Sequence, residues 1–86
     1  MIKREVLTNG TICYSKDGDF HREDGPALEY VEGTKIWMKN GKIHRLCGPA
    51  VTFYNGTVNW YVNGKFIANI KSQEEFERYM RLLPFR

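Results

Sequence analysis

The 86-residue sequence predicts an α+β, mostly β protein: an antiparallel β-meander of tandem hairpin repeats with one C-terminal α-helix packed on one face. Three observations predict it. Residue types recur at a step of 23, Gly-containing turn dipeptides fall at two fixed places in each step, and the chain closes on an apolar stripe at helical spacing. The length suits one small domain with a thin core. Residues 1–86 are therefore expected to form a single domain, with units over about 4–26, 27–49 and 50–71 and a helix over about 72–83.

The step of 23 carries Gly10 to Gly33 to Gly56, and Gly18 to Gly41 to Gly64. It also carries Thr11 to Thr34 to Thr57, Tyr14 to Trp37 to Trp60, His21-Arg22 to His44-Arg45, and Gly25-Pro26-Ala27 to Gly48-Pro49-Ala50. Nothing is inserted or deleted between copies. Asn9-Gly10 and Asn55-Gly56, with Glu32-Gly33 at the same place, are expected as tight turns with positive φ at both centres. Asp17-Gly18, Asn40-Gly41 and Asn63-Gly64 mark a second turn eight residues later. Short β-prone runs such as Thr34–Lys39 and Thr57–Val62 lie between the turns.

A two-residue turn at Asn55-Gly56 sets Tyr54 opposite Thr57 and Val51 opposite Trp60. Opposed side chains share a face and alternate along a strand. One face then carries Val51, Phe53, Val58, Trp60 and Val62; the same construction gives Leu28, Tyr30 and Trp37, and Leu7, Ile12 and Tyr14. The opposite face presents Glu29, Val31, Ile36 and Met38, then Thr52, Tyr54, Asn59 and Tyr61. A sheet with one apolar face needs a cover. Ser72-Gln73-Glu74-Glu75 has capping-box spacing, and Phe76, Tyr79, Met80 and Leu83 follow as an amphipathic stripe that Pro84 ends. Phe76, Met80 and Leu83 are expected across the tryptophan face. The third unit departs from the pattern there, with Phe66-Ile67 replacing the His-Arg step.

Charge is uneven along the chain. Residues 1–32 hold four basic side chains against seven acidic ones, whereas residues 33–73 hold six basic and no acidic residue, within a net charge of +3. A positive middle favours an acidic partner or a nucleic acid, and equally describes a solvated surface that resists self-association. Cys13 and Cys47 are too few for a disulfide framework or a four-ligand zinc site and read as free thiols in a reducing compartment. No apolar run approaches the ~20 residues that cross a bilayer, and Met1–Glu5 lacks a signal peptide's apolar stretch, so no membrane role and a cytoplasmic location are expected.

The run His21-Arg22-Glu23-Asp24-Gly25-Pro26-Ala27, and Trp37-Met38-Lys39-Asn40-Gly41-Lys42-Ile43-His44-Arg45 after it, resemble the HRxDGPA repeats of small proteins from tailed phages and large DNA viruses. Those are similar to MORN repeats in length and turn chemistry. The second copy departs from the pattern, with Cys47 where the repeat has Asp. Trp60–Lys65 followed by a Glu-Glu-Phe helix also resembles how such proteins close. The resemblance covers most of residues 7–83. It implies a MORN-like sheet and a viral origin, hence the host cytoplasm. It implies no activity, because fold does not fix function. Small phage proteins of this size are often stoichiometric antagonists of host enzymes or defence systems, and the same is expected here by analogy.

His21 and His44 sit at equivalent places beside Gly-Pro turns, and are expected to tie each corner to the neighbouring unit through a ring nitrogen. Cys13 falls mid-strand and Cys47 in a loop, so these four do not form a metal set. Asp17, Asp19, Glu23 and Asp24 lack the alternating oxygens and closing Glu of a calcium loop. No nucleophile with a base and no carboxylate pair in a pocket is evident, so the sequence predicts no enzyme, catalytic residue, metal or cofactor. The expected surface for a partner or RNA comprises Lys35, Met38, Lys39, Lys42, Arg45, Tyr54, Tyr61, Lys65 and Lys71. A host protein bound for inhibition is the first reading. The alternative is an RNA-binding protein, with lysines on phosphates and Tyr54 and Tyr61 stacking bases, acting as an RNA-assisted antitoxin against a nuclease toxin. An edge strand offers a route to a homodimer.

Overall fold

A computed structural model describes residues 2–82. The chain is mostly antiparallel β-sheet with one C-terminal helix. The strands are β1 (Lys3–Val6), β2 (Ile12–Lys16), β3 (Asp19–Phe20), β4 (Leu28–Glu29), β5 (Lys35–Ile36), β6 (Met38–Lys39), β7 (Lys42–Ile43), β8 (Val51–Thr52), β9 (Val58–Val62) and β10 (Lys65–Ile67), followed by α1 (Gln73–Leu82). The main sheet runs in the order β1-β2-β4-β5-β8-β9-β10, with β3 paired to β2, while β6 and β7 pair with each other. The layer is thin, 42 × 30 × 17 Å along its principal axes.

The two kinds of turn differ. Asp17-Gly18, Asn40-Gly41 and Asn63-Gly64 have positive φ at both centres and close two-residue loops, as the pairs Lys16↔Asp19, Lys39↔Lys42 and Val62↔Lys65 require. At the other set, only Gly10, Gly33 and Gly56 have positive φ. There Phe53 N–H donates to Thr57 O at 2.7 Å and Gly56 N–H to Phe53 O at 2.9 Å, a three-residue loop with a glycine bulge. Leu7 with Thr11, and Tyr30 with Thr34, repeat both bonds. In each of these wide turns the side chain before the glycine bonds forward. Asn9, Glu32 and Asn55 use a side-chain oxygen to accept the N–H two residues on, at 2.9, 2.9 and 3.0 Å. That bond takes the place of the mirror-image turn.

The extra loop residue shifts the register by one. Val51 faces Asn59 rather than Trp60, Leu28 faces Ile36 rather than Trp37, and Val6 faces Ile12. The faces are therefore not as the sequence predicts. Cys13, Leu28, Ile36, Val51 and Asn59 oppose one another in succession, so Ile36 and Asn59, expected outside, join Leu28 and Val51. Two bulges add to the change: Ala27 and Ala50 donate to Ile36 O and Asn59 O, residues already opposite Leu28 and Val51. Leu7, Tyr30, Phe53 and Val58, expected in the core, are exposed. Met38 and Tyr61, expected on the open face, are half-buried, and the Tyr61 ring lies 5.5 Å from Phe66.

Helix α1 covers the last hairpin and reaches back to Leu46, whose carbonyl accepts from Gln73 Nε2 at 3.1 Å. Ser72 Oγ accepts from Glu75 N–H at 3.2 Å, and Glu75 Oε1 reaches back to Lys71 N–H at 2.8 Å, a capping box displaced by one residue. Glu74 and Glu75 in the first turn and Arg81 in the last suit the helix dipole. Phe76 stacks on Trp60, with ring centroids 5.1 Å apart, and Ile67 completes a buried cluster flanked by Val62, Ile70, Tyr79 and Met80. Leu83 and Pro84, expected as the last contact and the stop, lie outside the described residues. Trp37 is not under the helix; it is half-buried elsewhere.

Candidate functional site

The two stretches 21–27 and 44–50 form corners of closely similar geometry. Asn40 N–H donates to His21 Nδ1 at 3.0 Å, and Asn63 N–H to His44 Nδ1 at 2.9 Å. Each imidazole thus holds the tight turn 19 residues on, as its sequence position predicts. An accepting Nδ1 leaves the proton on Nε2 in the neutral ring. His21 directs that nitrogen to Glu23 Oε2 at 3.2 Å. Burial, and secondarily the charge of Lys39, pull the His44 pKa below the ordinary histidine value.

The arginines next in sequence have a role that the sequence reading missed. The Arg22 guanidinium lies 4.0 Å over the Tyr14 ring and Arg45 lies 3.7 Å over Trp37. Nη1 of each donates to a proline carbonyl at 3.2 Å, Pro26 O for Arg22 and Pro49 O for Arg45. A signal for this was present. The aromatic, Arg and Gly-Pro positions share the step of 23, and Gly25 and Gly48 leave room that a Cβ would take from the guanidinium. Phe76 covers Trp60 in the third unit, where Ala68 stands at the arginine position.

The acidic surroundings differ. Arg22 Nε donates to Asp24 Oδ1 and its Nη1 to Glu29 Oε2, both at 3.1 Å. At the corresponding places beside Arg45 stand Cys47 and Thr52, and Leu46 replaces Glu23. Arg45 Nε is buried with no hydrogen-bond partner among the described residues. A buried donor left so costs about 1–3 kcal/mol. Burial lowers the Arg45 pKa, and the neighbouring Cys47 acts in the opposite sense. Cys47 is exposed, whereas Cys13 is buried in β2.

Each corner opens on a cavity. The first, about 640 Å³, is lined by Arg4, Lys16 and Arg22 together with Glu23 and Asp24. The second, about 180 Å³, is lined by Lys39, His44, Arg45, Leu46 and Cys47, with Arg22 and Glu23 at its side. Leu46 also borders an apolar groove of about 310 Å³ against Phe76, Glu77, Met80 and Arg81 of α1.

The expected surface residues are only partly brought together. Lys39 and Lys42 oppose each other across one tight turn. Gly64 of the next turn lies against the Lys42 side chain, which places Lys65 beside them. Arg45 is stacked on Trp37, which fixes its guanidinium. Lys35 opposes Glu29 and Thr52 within the sheet, and Lys71 precedes the helix. Tyr54 sits in a wide turn and Tyr61 near a tight turn, at opposite ends of β9, so the two rings do not share a platform.

The wide turns bring together side chains expected in the core, Leu7, Tyr30 and Phe53, and two expected on the open face, Val31 and Tyr54. Leu7, Tyr30 and Phe53, 23 residues apart, are exposed at 42, 39 and 36%, and Val31 and Tyr54 at 70 and 68%. The turns abut: Gly10 meets Val31, Gly33 meets the Cβ of Tyr54, and Tyr54 N–H donates to the buried Thr34 Oγ1 at 3.2 Å. Among the described residues no group of three or more His, Cys, Asp or Glu is placed to hold a metal ion, and no helix is long and apolar enough to cross a membrane. Compared with protein-family models, curated proteins and solved structures, the chain matches none of them.

Proposed function

We propose that this chain is a non-enzymatic binding protein built of tandem MORN-like hairpin repeats, a phage-type stoichiometric inhibitor of a host or host-defence protein in the host cytoplasm. The observation that carries the reading is the row of exposed apolar side chains along the wide turns, Leu7, Tyr30, Val31, Phe53 and Tyr54. A contiguous apolar row on a small protein is characteristic of a partner surface, and tyrosine is enriched at interface centres. The HRxDGPA resemblance supports the viral setting. The test is retention from host lysate with nuclease present, using the wild type and Val31→Ser/Tyr54→Ser. One protein should be held in a 1:1 complex that survives high salt and is lost in the variant. Retention indifferent to the variant would remove this surface.

The RNA reading has its own support in Lys39, Lys42 and Lys65 at neighbouring tight turns. Phosphate binding by them would weaken steeply with salt. Lys39→Glu/Lys42→Glu should then abolish oligonucleotide binding, and intact binding would eliminate that mode. The outer side of β1, which has no sheet neighbour besides β2 among the described residues, supports an edge-paired homodimer as a further assembly.

A further inference from the structure

We propose that the cavity beside Arg45 is a docking site for an acidic side chain of a partner protein, with the groove beside Leu46 taking an apolar neighbour of that residue. The inference rests on the reading of this chain as a protein-binding module and assigns the chemistry of the segment it holds. Three observations lead to it. First, Arg45 is held in the same pose as Arg22, by the ring beneath it and the proline carbonyl beside it. Second, Arg22 shows what such a guanidinium accepts: the carboxylates of Asp24 and Glu29, at 3.1 Å each. Cys47 and Thr52 stand at those two places around Arg45, so the chain supplies the fork without its acids. A guanidinium whose orientation is fixed in advance loses little freedom on pairing with a carboxylate.

Third, the surroundings select for more than charge. Lys39 lines the same cavity, while the acid at its side, Glu23, is engaged by His21. Leu46, half exposed, separates this cavity from the apolar groove under Phe76 and Met80. A segment with an acidic residue next to an apolar one would fill both. A carboxylate is favoured over a phosphate because the matching corner, Arg22, is complemented by carboxylates.

The test is NMR titration of the whole chain, observing the Nε–Hε signals of Arg22 and Arg45. The probes are a short synthetic peptide of alternating glutamate and leucine, inorganic phosphate, and single-stranded oligouridylate. The peptide should shift the Arg45 signal severalfold more than that of Arg22, which stands at the side of the same cavity, and bind at least about tenfold more tightly than phosphate or oligonucleotide. Cys47→Asp/Thr52→Glu rebuilds the self-neutralised corner and should weaken peptide binding about tenfold or more (about 1.4 kcal/mol) without lowering the melting temperature. Cys47→Asp alone should act in the same direction if the pair fails to fold. Equal responses of both arginines, peptide binding undiminished in these variants, or preference for the oligonucleotide would overturn the proposal. Val31→Ser/Tyr54→Ser should leave the peptide titration unchanged, so failure of the wide-turn surface and failure of this site are told apart.

Discussion

The corners at His21 and His44 share a framework and differ in what surrounds it. In both, an imidazole accepts from the next tight turn, and an arginine lies on a ring and donates to a proline carbonyl. Only the first surrounds its arginine with carboxylates. The second adopts the same pose without them, so ring and carbonyl suffice to orient the guanidinium. The acids are then free to vary, and their loss changes the surface potential without changing the backbone. The third unit goes further and replaces the cation altogether, with Phe76 stacked on Trp60.

Phe76→Ala tests that last replacement and should have the largest effect. Phe76 is 1% exposed, and its loss should cost about 3–5 kcal/mol in denaturant unfolding. A cost below about 1 kcal/mol would mean that the helix does not shield Trp60. Next in size is the pair His21→Ala and His44→Ala. His21 is 2% exposed and uses both ring nitrogens, so its removal should cost about 2–3 kcal/mol. His44 is half-buried and should cost about 1 kcal/mol. Equal costs would break the expected gradient between the corners.

Cys47→Asp and Asp24→Cys exchange the acids. The first should stabilise by about 0.5–1 kcal/mol and the second destabilise by about the same, because these are partly exposed ion pairs. Chemical denaturation of the two variants measures both. The smallest effect is the pH dependence carried by His44. Its folded pKa is depressed, so the unfolded chain binds a proton first as pH falls. This contribution to stability is complete above the unfolded value of about 6.5 and declines as pH falls below it, down to the folded pKa. His44→Asn keeps an acceptor for Asn63 N–H. Its melting temperature should therefore fall less than that of wild type between pH 7.5 and 5, and identical slopes would refute the assignment.

Much of this was legible in the residues. Turn positions, the capping serine, the Phe76 stripe and the imidazole tie each follow from a local rule about one residue type. What escaped was the kind of turn. Asn-Gly fits either a mirror-image turn or a bulged three-residue loop, and the choice falls to whether the Asn side chain bonds forward to Thr11 or Thr57. Glu32 was the available clue, since a glutamate resists positive φ far more than Asn does. That one-residue difference moved Leu7, Tyr30 and Phe53 from the expected core to solvent, and with them the candidate surface. The arginine stacking escaped for another reason. It joins side chains eight positions apart around a bend, which neither strand nor helix periodicity detects.

The Phe76–Trp60 stack has a practical corollary. A helix of about ten residues does not persist in water by itself, so α1 exists only while it is seated on the last hairpin. Shielding of one indole and ordering of that segment are thus a single event. Trp60 is a built-in fluorophore for it, and Trp37, screened by a guanidinium instead of a ring, serves as the internal reference in the same spectrum.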